Sequence, residues 1–123
     1  MSNEVEKIYN KALEAEEKGN NIKALTLYKE VLKLNSSDPR YHIGLGVCLM
    51  KLNHGVEAAK SLKKGIDLKP SYAEADARLF LAEALYNAGQ KKNAIEQLSL
   101  VIKMEPVYPS REYPVELLAQ WNK

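Results

Sequence analysis

Cysteine is all but absent from this chain. Cys48 stands alone, so no disulfide can form within the sequence, and a reducing compartment such as the cytoplasm is expected. Long apolar runs are missing too. No stretch nears the roughly eighteen apolar residues that a membrane-spanning helix needs. The opening "MSNEVEKIYN" has no basic n-region and no apolar h-region, so no secretory signal is expected. An excess of one charge is lacking: the net charge is +2, too small to argue for nucleic acid or an anionic membrane as a partner. β-branched runs with strict alternation are absent, so strands are not expected.

What is present suits one globular domain. Hydrophobic residues make up 46% and charged residues 28% of the 123, too apolar for a disordered chain. Apolar residues recur at helical spacing almost throughout, among Leu, Ala, Glu, Lys and Asn. Start and stop signals cut this pattern into short helices. The first spans about 3–18 and ends at Gly19; Asn20 caps a second, about 21–34. Asp38 caps a third, with Pro39 in its first turn, running to about Leu52. After the turn "NHG", a fourth covers about 56–68 and stops before Pro70. Ser71 and Glu74 form a capping box for a fifth, which ends at "NAGQ". A sixth covers about 91–104. The stretch "EPVYPSREYP" reads as extended, and Pro114 opens a short last helix.

These helices come in pairs, and the pairs repeat. "GNNIKALTLYKEVLKLN", "NHGVEAAKSLKKGIDLKP" and "GQKKNAIEQLSLVIKMEP" each begin at a turn residue, Gly19, Asn53 and Gly89. Five positions on lies an alanine in each: Ala24, Ala58 and Ala94. Tyr28, Leu62 and Leu98 follow four later, then Val31, Gly65 and Val101 three after that. The turn residues are 34 and then 36 apart, the period of a helical solenoid. Small residues at Ala12, Gly46 and Ala82 let the first helix of each pair approach its partner closely. Gly44 has no place in the pattern.

Over residues of about 5 to 106 the sequence resembles the tetratricopeptide repeat (TPR) family. Leu45-Gly46, Ala58 and Pro70 carry the likeness in the second repeat, and Leu81-Ala82, Gly89, Ala94 and Pro106 in the third. Ala12, Gly19, Ala24 and Tyr28 carry it in the first. The early tryptophan of the family is missing, with Ile8, His42 and Arg78 in its place. The resemblance implies an all-α solenoid of three antiparallel helix pairs, coiled as a right-handed superhelix, with a short C-terminal helix. The repeats would fall at about 5–38, 39–72 and 73–106 of a single domain, with a tail and capping helix over 107–123. It also implies a concave groove lined by the first helix of each pair. Carried over, the groove positions are Glu6, Tyr9, Leu13, Glu16 and Glu17; Arg40, Ile43, Val47, Met50 and Lys51; Asp76, Leu79, Glu83, Tyr86 and Asn87. Their centre is apolar and their flanks are acidic. Some members grip a terminal carboxylate with basic and amide side chains. Here the matching positions hold Tyr9, Leu13, Gly44, Asp76 and Phe80, so a carboxylate clamp is not expected.

The stretch "YHIGLGVCLMKLN" (41–53) carries two apolar stripes. At roughly 100° per residue, His42, Leu45, Leu49 and Leu52 fall on one side and serve the core. Ile43, Val47 and Met50 lie about 150° away, surplus to a two-layer solenoid. Neighbouring helices, the chain's own tail or a partner would cover that stripe. In the tail, Val115, Leu118 and Trp121 share a face; it caps the last repeat, fills the groove or joins two copies.

Chemistry is not expected. His42 and His54 lack the neighbours that a base or a metal ligand needs. His42 reads as a partly buried core residue, and Cys48 as a buried structural thiol. No cofactor, metal, nucleic acid or membrane is called for. The sequence therefore predicts a non-enzymatic module that binds a protein or peptide ligand, an apolar or basic segment favoured. Self-assembly into a homodimer or filament through solenoid ends or tail is the alternative.

Overall fold

The computed structural model describes residues 2–70, 74–104 and 112–123. These form seven helices: α1 (Ser2–Glu17), α2 (Asn21–Leu34), α3 (Pro39–Lys51), α4 (Gly55–Asp67), α5 (Glu74–Asn87), α6 (Lys91–Lys103) and α7 (Glu112–Trp121). No strand occurs among the described residues. None of the helices there is long and apolar enough to cross a membrane. Ser71 of the expected capping box lies outside the described residues, as do Pro106 and most of the stretch read as extended. The last helix begins two residues before Pro114. Proline sits comfortably in a first turn, where its missing N–H would have no helical partner.

α1 packs on α2, α3 on α4 and α5 on α6, and each pair stacks on the next. One turn is used three times. Gly19, Asn53 and Gly89 have φ of 77°, 64° and 85°. In each, the turn residue's N–H bonds the carbonyl three residues back, and the next N–H bonds the one five back: Gly19 to Glu16 and Asn20 to Ala15, Asn53 to Met50 and His54 to Leu49, Gly89 to Tyr86 and Gln90 to Leu85. This is a Schellman closure, which satisfies helix-end carbonyls and reverses the chain. The following helix starts at once. Asn20 accepts from the Lys23 N–H, and Asp38 does the same for the Arg40 N–H ahead of α3.

The cores follow the repeat. Ala12, Ala24, Ala58, Ala82 and Ala94 are all fully buried, as are Leu62 and Leu98. Gly46 shows why the residue must be small. A Cβ there would lie 2.5 Å from Leu62 Cγ and 3.2 Å from the Ala58 carbonyl oxygen. Cys48 is fully buried in the first cluster, between Ala12, Ala24 and Tyr28. Burial, and after it the charge of Glu16, pushes its thiol up to about 12.

One expectation about α3 is corrected. The stripe of Ile43, Val47 and Met50 is not wholly surplus: all three pack, partly buried, against the central cluster of Leu49, Leu62, Ile66 and Leu81. α3 has α2, α4 and α5 around it, so one stripe cannot serve it. Its buried residues include Tyr41 and Cys48, which a two-layer picture does not require. His42 is partly buried, as expected. Its Nε2 lies 2.8 Å from the Ser36 carbonyl oxygen and ties down the α2–α3 connection.

Gly46→Ala tests the close approach. Alanine improves helix propensity by roughly 1 kcal/mol. Crowding Leu62, which has nowhere to go, costs about 1–3 kcal/mol. The expected outcome is a lower urea midpoint by about 1 kcal/mol of stability; a midpoint at or above wild type would sink the account.

Candidate functional site

α1, α3 and α5 stand in a row and wall a cleft of 690 Å³. Tyr9 and Leu13 come from α1, Ile43, Gly44 and Val47 from α3, and Phe80 from α5. Asn35, Ser37, Asp38 and Pro39 of the α2–α3 connection, with Pro70, edge it. The volume lies within the range of about 300–1,000 Å³ typical of ligand sites. The lining is mostly apolar, with polar groups confined to few positions. Leu13 is 38% exposed, high for a leucine whose neighbours are apolar.

The floor is a tyrosine. Tyr28 is buried, and its hydroxyl donates to Glu16 Oε1. Burial, reinforced by that carboxylate, raises the phenol above its ordinary value. Gly44 is explained here. A Cβ on it would fall 2.4 Å from Tyr28 Cε1, so glycine leaves the space that the ring fills. Glu16 is held from the other side by Lys51, at 3.2 Å.

The rim is a charged node. Arg40 Nη2 donates to Glu6 Oε1 at 2.6 Å and to Asp38 Oδ2 at 2.7 Å, and Nε donates to both Asp38 oxygens. Its guanidinium lies 4.9 Å from the Tyr9 ring centroid and 5.3 Å from that of Tyr41. The Tyr41 hydroxyl donates to the same Glu6 oxygen at 3.0 Å. Arg40 holds the Asp38 carboxyl below its usual range, and Asp38 and Glu6 together keep the guanidinium charged. The node joins α1 to α3 and orients Tyr9 at the cleft mouth. Arg40 is thus already engaged on every side described.

Six of the expected groove residues line this cleft, Tyr9, Leu13, Glu16, Arg40, Ile43 and Val47, and Glu6 and Lys51 join them through Arg40 and Glu16. The rest do not join them. Met50 turns toward the central cluster. Leu79 is 4% exposed, within the cluster that holds Trp121. Tyr86 is stacked by Trp121, with centroids 4.5 Å apart and planes 5° from parallel. Glu83 accepts from the Tyr113 hydroxyl at 3.5 Å, and its burial raises its pKa. The last helix therefore lies against this part of the row, where Leu79 is buried, while Tyr86, stacked on one face, stays 38% exposed. Tyr28, Tyr41, Gly44 and Phe80 are the additions. A signal for two of them existed, since Gly44 and Phe80 occupy carboxylate-clamp positions whose side chains lack charge.

A second hollow, of 450 Å³, opens between α4, α5 and α6. Lysines and carboxylates mix along it, and Arg78 is bonded to Glu74 at 2.7 Å and Gln97 at 3.0 Å. Val56, Ala59, Ile66, Leu81 and Leu85 line it as well, among more charged and amide groups than the first cleft holds.

Tyrosine ionisation checks this geometry. Tyr41 is pushed up to about 12 by burial and then by the Glu6 bond. A phenol kept neutral by folding stabilises the fold fully below its ordinary value of 10, and that contribution is lost as pH climbs through about 12. Near-ultraviolet absorbance should show Tyr28 and Tyr41 silent between these values in native protein and titrating normally in urea. Identical native and unfolded titrations would contradict the buried node.

Comparison with known proteins gives a consistent result. A family model described as tetratricopeptide repeat matches residues 9–73 and 57–109. Human tetratricopeptide repeat protein 7A is 33% identical over 113 residues, covering 89% of this chain and 13% of that protein. The chain thus spans a small part of that relative's length. Among solved structures, the second TPR domain of human RPAP3, in complex with an HSP70 peptide, has a TM-score of 0.82 at 18% identity, covering 94% of this chain and 92% of that one. The Yersinia enterocolitica type III secretion chaperone SycD, in complex with a peptide of the translocator YopD, also has a TM-score of 0.82, at 21% identity over 98% of this chain and 91% of that one. At such identities the likeness is one of fold.

Proposed function

The chain belongs to the tetratricopeptide repeat family, and on that premise we propose that it binds another protein by taking a segment of it into the cleft between α1, α3 and α5. The observation that carries the reading is the cleft's make-up: an apolar wall of Tyr9, Leu13, Ile43, Val47 and Phe80 inside a rim ordered by ion pairs. Apolar anchors would desolvate that wall, and the ordered rim would exclude water around them. RPAP3 and SycD hold peptides on the same fold, which supports this class of role. Gly44 and Phe80 take two positions where a carboxylate clamp would place amide or basic side chains, which favours a ligand held by other means. The single buried cysteine fits work in the reducing cytoplasm.

Self-assembly is the second reading. α7 leaves Tyr113 and Val115 about half exposed, at 48% and 47%, next to the end of the solenoid. Light scattering across concentration separates the two. A chain that stays monomeric at high micromolar concentration removes assembly.

Leu13→Gln tests the cleft directly. The residue is exposed enough for the fold to survive, as circular dichroism would verify. Affinity capture should lose wild-type partners by about tenfold, whereas Lys63→Gln, on the opposite layer, should retain them. If Leu13→Gln captures the same proteins with equal yield, the cleft is not the binding surface.

A further inference from the structure

Resting on the cleft reading above, we infer that the segment it takes carries a lysine or arginine beside its apolar anchors, and that this cation sits against Glu6 at the α1 rim. Two independent observations point there. The first is local. Among the described residues, the ion pairs of Glu6, Glu16 and Asp38 around the cleft are with Arg40 and Lys51, so three carboxylates face two full cations. Asp38 spends both oxygens on Arg40, and Glu16 spends one on Tyr28 and one on Lys51. Glu6 receives both of its bonds on Oε1, and its side chain is 43% exposed. The unspent negative charge thus resides on an accessible carboxylate at the mouth of an apolar cleft.

The second is global. α1, α3 and α5, the helices that wall the cleft, carry eight acidic and five basic side chains. Their partners α2, α4 and α6 carry four acidic and nine basic ones. A net charge of +2 conceals this separation. The row of helices that walls the cleft is net acidic, and the row behind it is net basic. An acidic tail would be repelled at the cleft, and a cationic segment would be drawn in and aligned.

The test uses a random dodecapeptide display library selected against the full chain. The expected result is enrichment of Lys or Arg next to apolar pairs, with Asp and Glu depleted. Titration of a selected peptide should then weaken about tenfold on Glu6→Gln, a change that keeps shape and hydrogen-bonding oxygen but removes charge. It should also weaken with added salt. If selected peptides depend on Leu13 yet show no basic enrichment, or bind Glu6→Gln as well as wild type, this inference falls and the cleft reading stands. If they bind Leu13→Gln as tightly as wild type, or if nothing is enriched, the cleft reading falls and takes this inference with it.

Discussion

Backbones in this solenoid approach until only a hydrogen or a methyl group fits between them, and the remaining architecture depends on that distance. Gly46 against Leu62, with Ala12, Ala24, Ala58, Ala82 and Ala94 fully buried, sets the spacing within the helix pairs. Close pairs bring the larger residues of the second helices, Leu62 and Leu98, into full burial. Repetition of one Schellman turn then returns the chain at the same angle each time. The result is quasi-one-dimensional: each pair is stabilised by its neighbours rather than by a distant core.

The same geometry makes the cleft. When α1, α3 and α5 are held in a row, their outward faces form a continuous wall, and Tyr28 rises between two of them to become its floor. Gly44 was the residue with no role in the repeat. Its role lies in the cleft instead, since the Tyr28 ring occupies the volume its side chain would have taken. The Tyr28 hydroxyl then fixes Glu16, and Glu16 fixes Lys51. One missing Cβ therefore bears on both the shape and the charge balance of the site.

Helix ends, turns and small-residue contacts were legible because each depends on residues near in sequence or on the repeat itself. Gly19, Asn53 and Gly89 announce their turns, and Asn20 and Asp38 their caps. Six cleft residues were legible through the family's groove pattern. What the pattern could not supply was pairing between repeats. Arg40 reads as a free rim charge until Glu6, thirty-four residues away, is seen to hold it. Leu79 reads as groove surface until it is found buried in the cluster that holds Trp121. Tyr41 drew no assignment from the pattern, and its ring is buried against Tyr9, with centroids 5.1 Å apart. Helical periodicity gives a face, and only the neighbours decide what that face meets.

Trp121 is the one tryptophan in the chain, and it lies flat on Tyr86 at the end of the solenoid farthest along the sequence from α1. Its emission is therefore a local optical gauge of whether the last helix is docked. Tyr9, Tyr28 and Tyr41 form a separate aromatic group at the opposite end. Tyr86 and Tyr113 belong to the C-terminal part, so tyrosine signals report on both ends, whereas the tryptophan emission follows fraying of the C-terminal end alone in the unmodified protein.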